Sequence, residues 1–154
     1  MKKTIVILLT LGILVSGIGI ATAAPLQITA NVLSTLNLAL DSNALTFDDV
    51  QPGLASAPQT LTSTTSGNGS YQLTLTGAGF TAAGKTAPAS VLEFKEHSVG
   101  NYTIASTGAK NMLAGAATAT VEGDAHTFDL RVNFPGTAEN GNYIANVTIT
   151  AVAQ

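Results

Sequence analysis

Glu122, Asp124 and His126 are the best-spaced polar group in the chain, three alternate residues around Gly123. On extended backbone, alternate side chains share a face. Two carboxylates and an imidazole would then converge, a donor set that suits a divalent metal ion. A simpler reading explains the same residues: Gly123-Asp124 is a two-residue turn signal, and Glu122 and His126 are solvated strand-end residues beside it. No metal and no cofactor is expected. Glu93, Glu96 and His97 form a second group, in which Glu93 and His97 share a face and Glu96 does not. Asp48 and Asp49 stand beside a Pro-Gly turn, where acids need no ion. The chain has no cysteine and two histidines, with neither a thiol nor a Ser-His pattern to act as a nucleophile. These residues do not compose an enzyme. Without tryptophan, and with Tyr71 and Tyr143 in the apolar phase of their segments, only Tyr102 is a candidate to stack on a sugar, and core or rim is the better reading of all three tyrosines.

The elements that would carry these residues alternate with period two. Gly, Asn, Asp and Pro punctuate them at spacings of roughly ten residues, the pattern of an all-β sandwich. Ala44 to Phe47 reads as a short strand, followed by a turn at Gln51-Pro52-Gly53. Gln59 to Thr65 alternates, Ser66-Gly67-Asn68-Gly69 turns the chain, and Tyr71, Leu73 and Leu75 line the next apolar face. Thr76 to Pro88 reads as a loop anchored by Phe80, Val91 to Lys95 as a strand, and Tyr102 to Ala105 as a weaker one. Ala105 to Ala117 fits either a short helix or an irregular crossover. Ala119 to Glu122 and Ala125 to Phe134 read as a hairpin about Gly123-Asp124. The last strand alternates through Tyr143, Ala145, Val147, Ile149 and Ala151. Neither an internal repeat nor a linker divides the chain.

Residues 1–23 read as a signal peptide: Lys2 and Lys3, an apolar run from Ile5 to Ile20, and the small-x-small site Ala21-Thr22-Ala23. An uncleaved anchor is the competing reading, disfavoured by Gly12, Gly17 and Gly19. Sec export to the cell surface or the medium is expected, with no membrane contact after cleavage. Loss of Lys2 and Lys3 leaves four cations against nine acids, a net charge of −5. Such a surface has no footprint for nucleic acid. With only 10% charged residues, Thr, Ser, Asn, Ala and Gly must cover the outside, weakly defended against association. Asn68, Asn101 and Asn146 begin Asn-x-Ser/Thr triplets and are glycosylation candidates, Asn68 the most accessible in its turn.

Two stretches resemble a known pattern. Leu45-Thr46-Phe47-Asp48-Asp49-Val50-Gln51-Pro52-Gly53 is similar to the "L-x-F-x-x-V-x-P-G" turn of Ig-like modules in bacterial and archaeal surface proteins. Phe128-Asp129-Leu130-Arg131-Val132, with Phe134-Pro135-Gly136, Gly141-Asn142-Tyr143 and Val147 to Ala151, resembles their closing strands. The resemblance implies an Ig-like or jelly-roll-like antiparallel β-sandwich of about eight strands over residues 36–154. Combined with export, absent cysteine and an alternating N-terminal extension, it is nearest to TasA/camelysin-like biofilm-matrix proteins and archaeal bundling-pilus subunits. In those families the N-terminal strand of one subunit completes the sandwich of the next.

That extension is legible in the residues themselves. Leu26, Ile28, Ala30, Val32, Leu36, Leu38 and Leu40 lie on one beat interrupted by Ser34. Extended, Leu26 to Leu40 would run roughly 50 Å, against about 17–20 Å for an ordinary strand. Leu36 to Leu40 is expected to be the sandwich's own first strand. Residues 24–35 are then a candidate donor strand, with Leu26, Ile28, Ala30 and Val32 filling a neighbour's groove in a head-to-tail homopolymer. The alternative is a monomeric cell-surface or cell-wall module with a first strand that switches sheets, in contact with carbohydrate or wall.

Overall fold

Alternating apolar residues bury only one face of a strand, so the chain needs two sheets facing each other. The computed structural model of this protein describes residues 35–154. The expected signal peptide at 1–23 and the stripe Leu26, Ile28, Ala30 and Val32 lie outside the described residues. Along the described chain run β1 (Leu36–Leu40), β2 (Gln59–Gly67), β3 (Ser70–Gly77), β4 (Phe80–Ala82), β5 (Lys85–Ala87), β6 (Leu92–Glu96), β7 (Thr103–Ile104), β8 (Lys110–Asn111), β9 (Ala117–Thr118), β10 (Asp124–Val132) and β11 (Val147–Ala153). A single 3-10 turn, Ala89–Val91, precedes β6.

The larger sheet has the order β1-β2-β10-β6-β7 and the smaller β11-β3-β8, with β9 also on β3. All their ladders are antiparallel. The protein is an all-β antiparallel sandwich. Between the sheets, Tyr71, Leu73 and Leu75 of β3 face Phe94 of β6 and Phe128, Leu130 and Val132 of β10, all buried. Burying each such side chain contributes about 1.5–3 kcal/mol.

Leu36–Leu40 forms the first strand as its alternation requires, with Leu36 and Leu38 packed on the core. Thr35 carries the pairing one step further: its N–H donates to Asn68 Oδ1 at 2.8 Å, and its carbonyl accepts the Asn68 N–H at 3.3 Å. Gly67 makes this approach possible, since a Cβ there would run into the Thr35 carbonyl.

Several elements differ from their sequence reading. Ala44 to Phe47 is not a strand. Ser42 Oγ ties itself to the Ala44 carbonyl and accepts the Ala44 N–H, which turns the backbone off the ladder. Leu45 and Phe47 still alternate onto the core. The expected loop at Thr76 to Pro88 contains the β4–β5 hairpin, closed by Ala83 and Gly84, both at positive φ. Ala105 to Ala117 is an irregular crossover that leaves β8 and β9 on β3 and buries Met112 and Leu113.

The hairpin expected about Gly123-Asp124 does not form. β9 pairs with β3 in one sheet and β10 with β2 and β6 in the other. A turn in which the Gly123 N–H donates to Thr120 carries the chain across between them. Its two-residue signal marks a change of sheet, because each flanking segment finds a longer partner elsewhere. Ladder pairing of the last strand begins at Val147, although Ile144 exchanges two hydrogen bonds with Thr81 upstream. The short added pairs raise the strands from about eight to the eleven found among the described residues.

Candidate functional site

The polar residues with chemical potential divide between the two faces of the β6–β10 pair. Asp124 and His126 alternate on β10 and turn inward, as does Glu96 at the end of β6. His126 Nε2 lies 3.1 Å from Asp124 Oδ2, and His126 Nδ1 lies 3.1 Å from Glu96 Oε1. The Tyr71 hydroxyl donates to the same Asp124 oxygen at 2.8 Å. Burial, reinforced by that bond to a carboxylate, pushes the Tyr71 hydroxyl from 10.0 up to about 12. With carboxylates at both ring nitrogens, His126 has no lone pair directed at a ligand. Glu122 stands apart on the exposed Val121–Gly123 turn, and Glu96 occupies the place expected for it. Among the described residues, no group of three or more acids and histidines is disposed to hold a metal ion.

On the outer face, directly opposed residues of β6 and β10 pair by charge. Arg131 donates from Nε and Nη2 to Glu93 Oε2, each at 2.6 Å, while Asn133 Nδ2 donates to Glu93 Oε1 at 3.2 Å. His97 Nδ1 lies 2.7 Å from Asp129 Oδ1, and Lys95 Nζ 3.6 Å from Asp129 Oδ2. The Arg131 guanidinium stacks 3.7 Å above the centre of the Tyr102 ring. That stack covers one face of the Tyr102 ring, in keeping with a place at the rim of the sheet. These contacts join the strand next to the edge to its neighbour, and every charged member is partnered within the sheet.

A groove of about 1010 Å³ opens between the two sheets. Leu61, Leu92, Leu130 and Val132 of the larger sheet form its floor, joined by Phe80, Phe134 and Tyr143. One wall is the segment from Ser42 to Val50 beyond β1. The other runs from Ala138 to Val147, continuing to Ile149 on β11. Both stretches that resemble surface-module motifs meet here, where the Gly53 N–H donates to the Phe134 carbonyl at 2.8 Å. The sequence calls for a groove but does not show its lining, which is drawn from segments far apart in the chain. Asp48 and Asp49 lie on its rim.

Groove and chain entry are at opposite poles. Leu36 pairs with Gly67 beside the β2–β3 turn, whereas Leu40 pairs with Ser63 and lines the groove. Similarly, Ala153 stands opposite Tyr71 at the turn pole and Val147 opposite Gly77 at the groove pole. Thr35 therefore lies about 16 Å along the chain from Leu40 at the groove, at roughly 3.3 Å per residue. Of the glycosylation candidates, Asn101 and Asn146 are exposed, and Asn68, also exposed, holds Thr35 through its Oδ1.

Neither a known family model nor a curated protein matches the chain. A glycoside hydrolase of family 123 from Clostridium perfringens, studied for glycolipid glycan hydrolysis, superposes with a TM-score of 0.46 at 14% identity. The match covers 77% of this chain and only 25% of that one, and it carries no argument about activity.

Proposed function

We propose that this chain is the structural subunit of an extracellular filament, exported through its N-terminal leader and joined head to tail by strand addition. The observation that carries the reading is the polar separation of groove and chain entry. A cleft with an apolar floor and polar walls stands open at one end of the sandwich, and the residues that could fill it, Leu26, Ile28, Ala30 and Val32, precede Thr35, which lies at the other end. A segment leaving at Thr35 reaches the groove of a following copy without doubling back, whereas its own groove would require a reversal at Ser34.

Each copy then uses two different surfaces, so the contact is heterologous, and because they lie at opposite poles it continues outward without closing. Such a contact propagates as a fibre. Low charge fits the reading as well, since few like charges oppose close stacking of copies. The polar clusters serve stability in this account, holding β10 to its neighbours against axial load.

Deleting residues 24–33 from the secreted chain tests the proposal. Size-exclusion chromatography and electron microscopy should find filaments for the intact mature chain and monomers for the deletion. Filaments that persist without these residues, or an intact chain that stays monomeric at high concentration, would overturn it.

A further inference from the structure

The groove has two candidate edges for an added strand, and their backbones are not equivalent. In a strand, the N–H and C=O groups of successive residues point to opposite edges. On β11 and the residues leading to it, the even positions face β3 and β4. Ile144 exchanges both bonds with Thr81, the Asn146 carbonyl accepts the Ala78 N–H, and the Gln154 N–H donates to the Ser70 carbonyl. Ala145, Val147 and Ile149 accordingly present their backbone groups to the open side, and all three line the groove. No described strand pairs with that side. On β1, pairing with β2 ends one residue beyond Leu40, where the Asp41 N–H donates to the Thr62 carbonyl and the Asp41 carboxylate accepts the Thr62 N–H, and Leu40 is the one β1 residue that lines the groove.

We infer that the acceptor edge is Ala145–Ile149, and that its occupant is residues 26–32 of a second copy, added antiparallel. The direction follows from tethering. β11 runs from the groove pole towards the turn pole, whereas a donor held at Thr35 by a copy beyond the groove pole must run the other way. Parity follows from the side chains. Directly opposed residues in a ladder share a face, so Leu26, Ile28, Ala30 and Val32 fall opposite the groove-facing odd residues of the edge. Their N–H groups bond to β11, while Gln27, Thr29 and Asn31 lie beside Asn146, Thr148 and Thr150 on the solvent face. Pro25, which has no N–H, falls in the phase that owes β11 no donor. This inference rests on the filament reading and specifies its interface.

The absence of cysteine makes the register directly readable. Solvent-face pairs of this ladder are of the non-hydrogen-bonded kind, with Cα atoms about 4.5 Å apart, within the range a disulfide bridges. Full-length chain carrying Thr29→Cys with Thr148→Cys or with Thr150→Cys should oxidise to a ladder of covalent multimers on non-reducing gels. Ile28→Cys with Thr148→Cys should lose that ladder, because the two side chains face opposite ways. Multimers obtained only when Thr29→Cys is combined with Asn37→Cys or Ala39→Cys would overturn the β11 assignment and leave the filament reading intact. Cross-linked monomers, or no filaments from the unsubstituted chain, would overturn both.

Discussion

The N–H of Thr35 donates to Asn68 Oδ1 at 2.8 Å, and the Asn68 N–H donates back to the Thr35 carbonyl at 3.3 Å. This reciprocal pair extends the β1–β2 ladder past its last formal partners, Leu36 and Gly67. In the filament account it is the point where tension from the preceding segment enters the sandwich.

Asn68→Ala removes the side-chain acceptor and should cost about 1 kcal/mol, read as a lower urea midpoint at unchanged slope. Ser70→Ala is the control, because it abolishes the Asn-x-Ser triplet and keeps the Asn68 side chain. An equal loss in both variants would assign the effect to the triplet and not to the hydrogen bond.

The Tyr71–Asp124 bond has a pH signature. An unfolded tyrosine ionises near 10.0, while the buried one keeps its proton to about 12. Because the folded value is the higher, the contribution is complete below pH 10 and disappears as pH rises towards 12. Its size is at most about 3 kcal/mol. Tyr71→Phe should lose about 1–2 kcal/mol at neutral pH and show a shallower alkaline fall than the unsubstituted chain, measured by denaturant titration across that window.

Arg131 binds Glu93 with a fork and Tyr102 with a flat face, and Lys offers neither. Arg131→Lys should cost about 1 kcal/mol and Arg131→Ala about 1–3 kcal/mol, the larger loss leaving the mostly buried Glu93 carboxylate short of a donor. A double-mutant cycle with Glu93→Gln should return a coupling that survives added salt, since the pair is only partly open to solvent.

The parts of the fold legible in the sequence are those governed by neighbours in the chain. Leu36, Leu38 and Leu40, the Tyr71–Leu75 face and the Phe128–Val132 face declare themselves by period two, and Pro52-Gly53 by turn chemistry. Parity even turned Glu96 away from Glu93 and His97. Its meeting with His126, 30 residues away, depends on a strand register that no local pattern encodes. Gly123-Asp124 misled for the same reason: its turn is real, but the partners of β9 and β10 are distant strands. The lining of the groove was hidden too, because Leu40, Leu61, Val132 and Ile149 converge only after both sheets have formed.

Sedimentation velocity of two singly blocked chains tests head-to-tail assembly most directly. Deletion of residues 24–33 removes the donor and leaves the groove. Val147→Arg places a charge on a groove-lining side chain that is 39% exposed, and leaves the donor. Each chain alone should sediment as a monomer, and an equimolar mixture should yield a dimer and nothing longer. A mixture that remains monomeric, or either chain polymerising alone, would contradict the account.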